Sequence, residues 1–183
     1  MSKTTVEYKK MYNDILIDND IRIADTSIIK HFDINMFGKH ISIDDWTYIS
    51  TRFKLGNYIH IAPHVSIIGG VDAYIEMDDF SGIASGCKII CASDDFHQGL
   101  LSPVVPVEYR TIINKPVVFK RFATLGVNCS VAPGVTLAEG SVVGANSFVN
   151  KDTEPWVIYG GSPAKPIGKR DKDRIMKSIN NLI

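Results

Sequence analysis

The chain has 183 residues, with 20 lysines and arginines against 20 aspartates and glutamates, and no net charge. At 45% hydrophobic and 22% charged residues it has the make-up of one globular domain with its own core, and the even charge argues against a dedicated nucleic-acid binder. Apolar runs fall short of the ~18–20 residues that span a bilayer, the opening Met1–Lys10 lacks a signal peptide's apolar stretch, and Cys87, Cys91 and Cys129 lack paired spacing, so a cytoplasmic protein without membrane insertion or disulfides is expected.

Tyr8, Met11, Tyr12 and Ile15 are spaced as one helical face, so residues 1–16 read as an N-terminal segment with a short helix. From Ile17 the pattern changes to a step of six: Ile17, Ile23, Ile29; then Phe37, Ile43, Ile49, Leu55, Ile61, Ile67; then Met77, Ile83, Ile89; then Phe119, Leu125, Val131, Leu137, Val143, Val149. Six fits neither an amphipathic helix nor a half-buried strand. Three such steps make an 18-residue coil, which divides 17–154 into 17–34, 37–54, 55–72, 77–94, 119–136 and 137–154, with extra residues at 35–36, 73–76 and 95–118. Four places after an anchor stand mainly small or β-branched residues (Thr47, Val65, Ser81, Cys87, Ala123, Cys129, Ser141, Ser147), which suit tight corners between short strands. Gly38, Gly56, Ala62, Ala84, Gly126, Ala132, Ala138 and Gly144 follow anchors directly. Coils of this kind bury their anchors only against one another, stacking at ~4.8 Å. Beyond the last coil, 155–183 carries Pro155, Pro163 and Pro166, which predict an extended, irregular exit, and then a helix over 171–183. Asp171 is its cap, and Ile175, Ile179, Leu182 and Ile183 share a face. The expected fold is an all-β solenoid of about six coils with a long inserted loop at 95–118 and a C-terminal α-helix.

The run Leu125-Gly126-Val127-Asn128-Cys129-Ser130-Val131-Ala132-Pro133-Gly134-Val135-Thr136-Leu137, the later Val143-Gly144-Ala145-Asn146-Ser147 and the exit Tyr159-Gly160-Gly161-Ser162-Pro163-Ala164-Lys165 resemble the hexapeptide-repeat acetyltransferases. That resemblance implies a left-handed parallel β-helix, a homotrimer, and transfer of acetyl from acetyl-CoA. The hand comes from the resemblance alone, because parallel crossovers are otherwise right-handed. Ser93-Asp94-Asp95-Phe96, with Pro103, Pro106, Glu108 and Tyr109 downstream, resembles the branch that acts on sugars of surface polysaccharides.

The 95–118 loop is the natural seat of function on a rigid column, and it holds His97, the one histidine outside the coils. A sugar hydroxyl needs a general base, and histidine titrates near neutrality. In the resembling hydroxyl-acting enzymes, counting hexads places the catalytic histidine at Asp94 and a supporting asparagine at Ala62. Three readings follow: His97 reaches back by another loop path, Asp94 is the base, or no strong base is used because the acceptor is an amine. Asp94 and Asp95 also suit the start of a loop; against a loop wall they would bind sugar hydroxyls or an amine. Glu108 and Tyr109 join the candidate acceptor site. By motif match the backbone around Gly126, Val127 and Ala145 lines the pantetheine, Asn150 and Lys151 stand near the far end of that groove, and Lys165 meets the 3′-phosphate or pyrophosphate. A second expected cation falls on Gly168, with Lys169 or Arg170 as substitutes.

Two other classes compete. A zinc enzyme of the γ-type carbonic anhydrase kind needs three ligands; His60 and His64 are four apart with no third in register, and no metal is expected. The other is a non-catalytic β-helix, an ice-binding or scaffold protein; ice binding needs regular rows of threonine on a flat face, which are too few here, and the long loop interrupts the column. The buried-looking cysteines read as packing groups.

Overall fold

The computed structural model describes residues 3–180 and residue 182. Among these, the strands of the body fall into three parallel sheets, faces A, B and C, visited in that order once per coil. Face A stacks Ile21–Ile23, Ile41–Ile43, Ile59–Ile61, Gly82–Ile83, Thr124–Leu125, Val142–Val143 and Val157–Gly160. Face B stacks Ile28–Ile29, Tyr48–Ile49, Ser66–Ile68, Lys88–Ile90, Ser130–Val131 and Phe148–Val149. Face C stacks Arg52–Leu55, Tyr74–Met77, Val117–Phe119 and Thr136–Leu137, with Phe37 bridged to Leu55.

The sixfold anchors are the register of these ladders: Ile43 pairs with Ile61, Ile61 with Ile83, and Leu125 with Val143. Ile43, Ile49, Ile61, Ile67, Ile83, Ile89, Phe119, Leu125, Val131, Leu137 and Val143 are at most 1% exposed. Each contributes about 1.5–3 kcal/mol by leaving water, so the column is held from inside. The corner residues Thr47, Val65, Ser81, Cys87, Ala123, Cys129, Ser141 and Ser147 are buried as their size predicts.

Four expectations shift. Ile17 fits the step but belongs to a helix and is 68% exposed, so the first coil opens at Ile21. Residues 74–77 form a strand of face C; the four extra residues are the bend 69–72, where Gly70 takes a positive φ. The large insertion is a hairpin of Ala92–Gly99 against Arg110–Asn114, and Val117–Phe119 returns to the body. The exit is regular: Val157–Gly160 adds a parallel rung, and Lys165–Lys169 folds back on it antiparallel.

Both ends of the column are covered. Helix α1 (Thr5–Met11) opens with a capping box between Thr4 and Glu7, and α2 (Asn13–Asp18) follows. Tyr8 and Tyr12 stack on Phe32, Leu16 is buried, and the Thr5 hydroxyl accepts from the Ile29 N–H, which satisfies a backbone donor in the first rung of face B. At the other end Asp152 and Thr153 accept from the N–H groups of Thr136 and Ala138. Helix α3 (Lys172–Asn180) starts after Asp171, whose carboxylate accepts from Arg174, and Ile179 is buried; Ile183 lies outside the described residues. Among the described residues no helix is long and apolar enough to cross a membrane.

The three edges of the column differ. Between C and A, His40, Tyr58, Phe80, Phe122 and Trp156 adopt φ of 55–65°, within the left-handed region that costs bulky residues roughly 1–2 kcal/mol each. Their rings form one stack, with neighbouring centroids 4.5–5.9 Å apart, which offsets that cost. Between A and B, Trp46, His64, Asn128 and Asn146 are left-handed in the same way. Every extra residue leaves at the third edge, between B and C: at 34–36, at 69–72 and in the hairpin.

Candidate functional site

The hairpin holds the first group of candidates. Asp94 faces Ile112 across it, and Arg110 donates from Nε and Nη2 to Asp94 Oδ1 at 3.0 and 2.7 Å, with both side chains about 15% exposed. Asp94 therefore sits in the first hairpin strand as a salt-bridged carboxylate, two residues past Ala92, where the chain leaves the coil. Asp95 accepts from the His97 N–H and from Gln98 Nε2, while the His97 ring is exposed and has no hydrogen-bond partner among the described residues. Glu108 and Tyr109 are exposed in the 3-10 turn at the far end. Arg110 escaped the sequence reading, although it is the one arginine or lysine between Asp94 and Lys115 and stands 16 residues after a carboxylate.

The second group lies on the A–B edge. Ala84, Gly126-Val127, Gly144-Ala145 and Gly160-Gly161 occupy the same corner in successive coils, with Lys165 in the strand that folds back beside Gly160. A Cβ on Gly126 would stand 2.8 Å from the Ala145 nitrogen and 2.9 Å from the Val143 oxygen, so the close stacking here requires glycine. The Cys87 and Cys129 thiols donate to the carbonyls of Gly126 and Gly144, and Ser147 donates to Gly144 as well, which pins the edge from within. The Cys129 sulfur and burial push the Cys87 thiol up, and burial pushes the Cys91 thiol up to about 12, so both are packing groups at neutral pH. Val127 and Ala145 are exposed, and their amide N–H groups have no protein partner among the described residues.

Asn150 and Lys151 part from this set. They follow the face B strand Phe148–Val149 and so lie on the B–C edge, from which the hairpin also leaves. Within one chain, then, His97 and Asp94 belong to one side of face B, and Val127 and Ala145 to the other.

A third cluster was missed. On the outer surface of face A, Arg22, Ser42, His60, Gly82 and Thr124 are register neighbours. His60 Nε2 lies 2.8 Å from Asp44 Oδ2, and the Ser42 hydroxyl donates to Asp44 Oδ1 at 2.9 Å. Burial alone would raise the Asp44 carboxyl; hydrogen bonds from His60 and Ser42, with the charges of His60 and Arg22, hold it below its ordinary value. An open groove of about 510 Å3 runs from His60 past Gly82 to Ala84 and Val127 on the A–B edge. His64 stacks on Trp46 at the corner, so it and His60 serve different surroundings, and among the described residues no three His, Cys, Asp or Glu side chains are grouped to hold a metal. The signal for His60 is its spacing of 16 residues from Asp44, close to one coil, which brings the two side chains together across neighbouring rungs.

No family model matches the chain. It is similar to the dTDP-4-amino-4,6-dideoxy-D-glucose acyltransferase of Escherichia coli, at 32% identity over 161 residues, which cover 85% of this chain and 82% of that one. Its structure resembles a variant of AntD, an N-acyltransferase from Bacillus cereus, in complex with dTDP-4-amino-4,6-dideoxyglucose and coenzyme A (TM-score 0.79, 26% identity, covering 100% and 98% of the two chains). It also resembles the hexapeptide-repeat acetyltransferase VCA0836 of Vibrio cholerae complexed with acetyl-CoA (TM-score 0.56, 28% identity, covering 66% and 61%).

Proposed function

The chain belongs to the hexapeptide-repeat, left-handed β-helix acyltransferases that act on sugars, and we propose that the group it acylates is the amine of a nucleotide-linked amino sugar. It moves an acyl group from a CoA thioester to a sugar. The observation that carries the amine reading is the likeness, over most of the chain, to relatives whose acceptors are dTDP-linked 4-amino sugars, and the hairpin agrees with it. Asp94 is tied to Arg110 and His97 is paired with no carboxylate, so the hairpin offers no oriented histidine to activate a hydroxyl. An unprotonated amine needs no such activation.

In this reading the acetyl thioester of CoA lies along the A–B edge. The amides of Val127 and Ala145 donate to the pantetheine and to the oxyanion that forms as the amine attacks the thioester carbonyl, and Gly126 keeps the backbone clear. Lys165 answers the 3′-phosphate. Asn150 and Lys151, on the other edge, meet a donor bound by a neighbouring protomer. The apolar residues exposed on face B (Ile28, Tyr48, Ile68, Phe148) and on the hairpin (Phe96, Leu100, Leu101, Val104) support a homotrimer. Such an assembly carries the hairpin of one protomer to the A–B edge of the next. Asp94, Asp95, Glu108 and Tyr109 then hold the acceptor, Asp94 accepting a hydrogen bond from its amine.

Release of CoA thiol from acetyl-CoA tests the assignment. Nucleotide-linked amino sugars should react and neutral sugars should not, and His97→Ala should keep the amine rate within threefold. A loss of a hundredfold in that variant, or faster turnover of neutral sugars, would return the hydroxyl reading. Lys165→Ala is expected to weaken CoA about tenfold by calorimetry and dephospho-CoA less than twofold, a modest effect because the cation is exposed. Equal losses for both would place the 3′-phosphate elsewhere.

A further inference from the structure

The hairpin supplies no histidine–carboxylate pair, but face A does. The cavity of about 580 Å3 lined by Asp20, Arg22, His40, Ser42, Asp44, Tyr58 and His60 shares Tyr58 and His60 with the groove that reaches Val127. The two form one trough down face A, from the thioester edge toward the N-terminal helices. Thr124 to Arg22 spans four rungs, about 19 Å at ~4.8 Å each, the length of a nucleotide sugar. Gly82, in the rung next to His60, has no side chain and leaves the ring's flank open. Asp44 is fixed by Ser42 on one oxygen and takes the His60 Nε2–H on the other, which sets the tautomer and leaves Nδ1 as an acceptor with no protein partner among the described residues.

We infer that the acceptor lies in this trough, beneath the neighbouring protomer's hairpin, and that His60, oriented by Asp44, accepts the proton that the amine loses. The inference rests on the reading of the acceptor as a sugar amine. As the amine nitrogen bonds to the thioester carbon, the carbonyl π pair moves to oxygen and the nitrogen becomes positive. His60 Nδ1 takes a proton from that nitrogen. The oxyanion then collapses, the C–S bond breaks with its pair on sulfur, and the imidazolium returns the proton to the departing thiolate. Without a base the zwitterionic intermediate reverts by expelling the neutral amine; once nitrogen has given up its proton it can no longer depart, and the thiolate leaves instead. The charged and titratable groups around His60 are Asp44 at contact, then Arg22, Asp20, His40 and Tyr58 along the trough.

The test is the pH dependence of kcat for acetyl-CoA with a dTDP-linked 4-amino sugar. His60→Asn should lower kcat at least thirtyfold, leave KM for acetyl-CoA within twofold and remove the acidic limb of the profile; His60→Gln carries the same reading if asparagine lowers the thermal midpoint. Asp44→Asn should lower kcat about tenfold with KM for acetyl-CoA within twofold, as expected of a group that orients His60, and imidazole in the buffer should restore part of the rate to His60→Gly. Wild-type turnover with an unchanged limb in the folded His60 variants would overturn the inference alone. No thiol release by the wild-type chain with any amino sugar would overturn the amine reading and take this one with it.

Discussion

Gly126→Val is expected to lower the thermal midpoint by about 6–12 °C and to remove measurable CoA binding. The two effects share one cause. A Cβ at this position meets the Ala145 nitrogen, the Val143 oxygen and the Gly144 carbonyl carbon at 2.8–3.1 Å, all of them backbone, so no flexible side chain can yield. Overpacking of that kind costs about 3 kcal/mol, and each kcal/mol moves the midpoint of a domain this size by about 2–4 °C. The next coil must shift outward, which moves the Ala145 amide from the line it makes with Val127. Gly144→Ala is the control: its Cβ would meet the Tyr159 oxygen at 3.4 Å, ordinary contact, and should cost under about 1 kcal/mol. Equal behaviour of the two variants in a thermal melt and a CoA titration would mean that the close approach at Gly126 matters to neither.

Phe119→Ala is expected to be the most damaging single truncation in the core. Phe119 is 0% exposed and pairs with Met77 below and Leu137 above, in the strand where the chain re-enters the column after the hairpin. Deleting a buried phenyl ring costs about 3–5 kcal/mol, so the midpoint should fall by about 6–20 °C. The same rung re-seats the chain after the hairpin, so acceptor turnover should fall more than CoA affinity. A midpoint shift under 3 °C would show that the two halves of the column stand independently.

Much of the fold was legible because a buried anchor every sixth residue leaves few other ways to hide it. The pattern fails where a residue satisfies two rules at once. Ile17 keeps the step of six, yet it also falls within a helix, and that helix is what covers the first coil. The pattern also cannot say which members of a longer segment loop out. Tyr74 to Met77 alternate half-buried and buried and extend their strand backward, so the bend retreats to 69–72. The hairpin borders moved for the same reason, since Ala92 to Asp94 pair with Asn114 to Ile112.

The candidate site was legible in part. Small residues follow anchors on all three edges, because every tight corner asks for them, so it was the motif around Gly126 and Ala145 that pointed to the A–B edge. Asp94 was found by position but its partnership with Arg110 was hidden in a loop without periodicity. His60 and Asp44 were hidden by geometry: one points outward from a strand and the other sits one place past an anchor in the coil below, so their meeting depends on stacking and corner shape together.

The three insertions share one edge, and this divides the molecule's labour. Two edges are zipped by left-handed residues whose spacing tolerates no added length. The third acts as a hem that can be let out at any coil. Chain can therefore be added or exchanged there one flap at a time, while the small-residue corner on the opposite side of face B stays as it was.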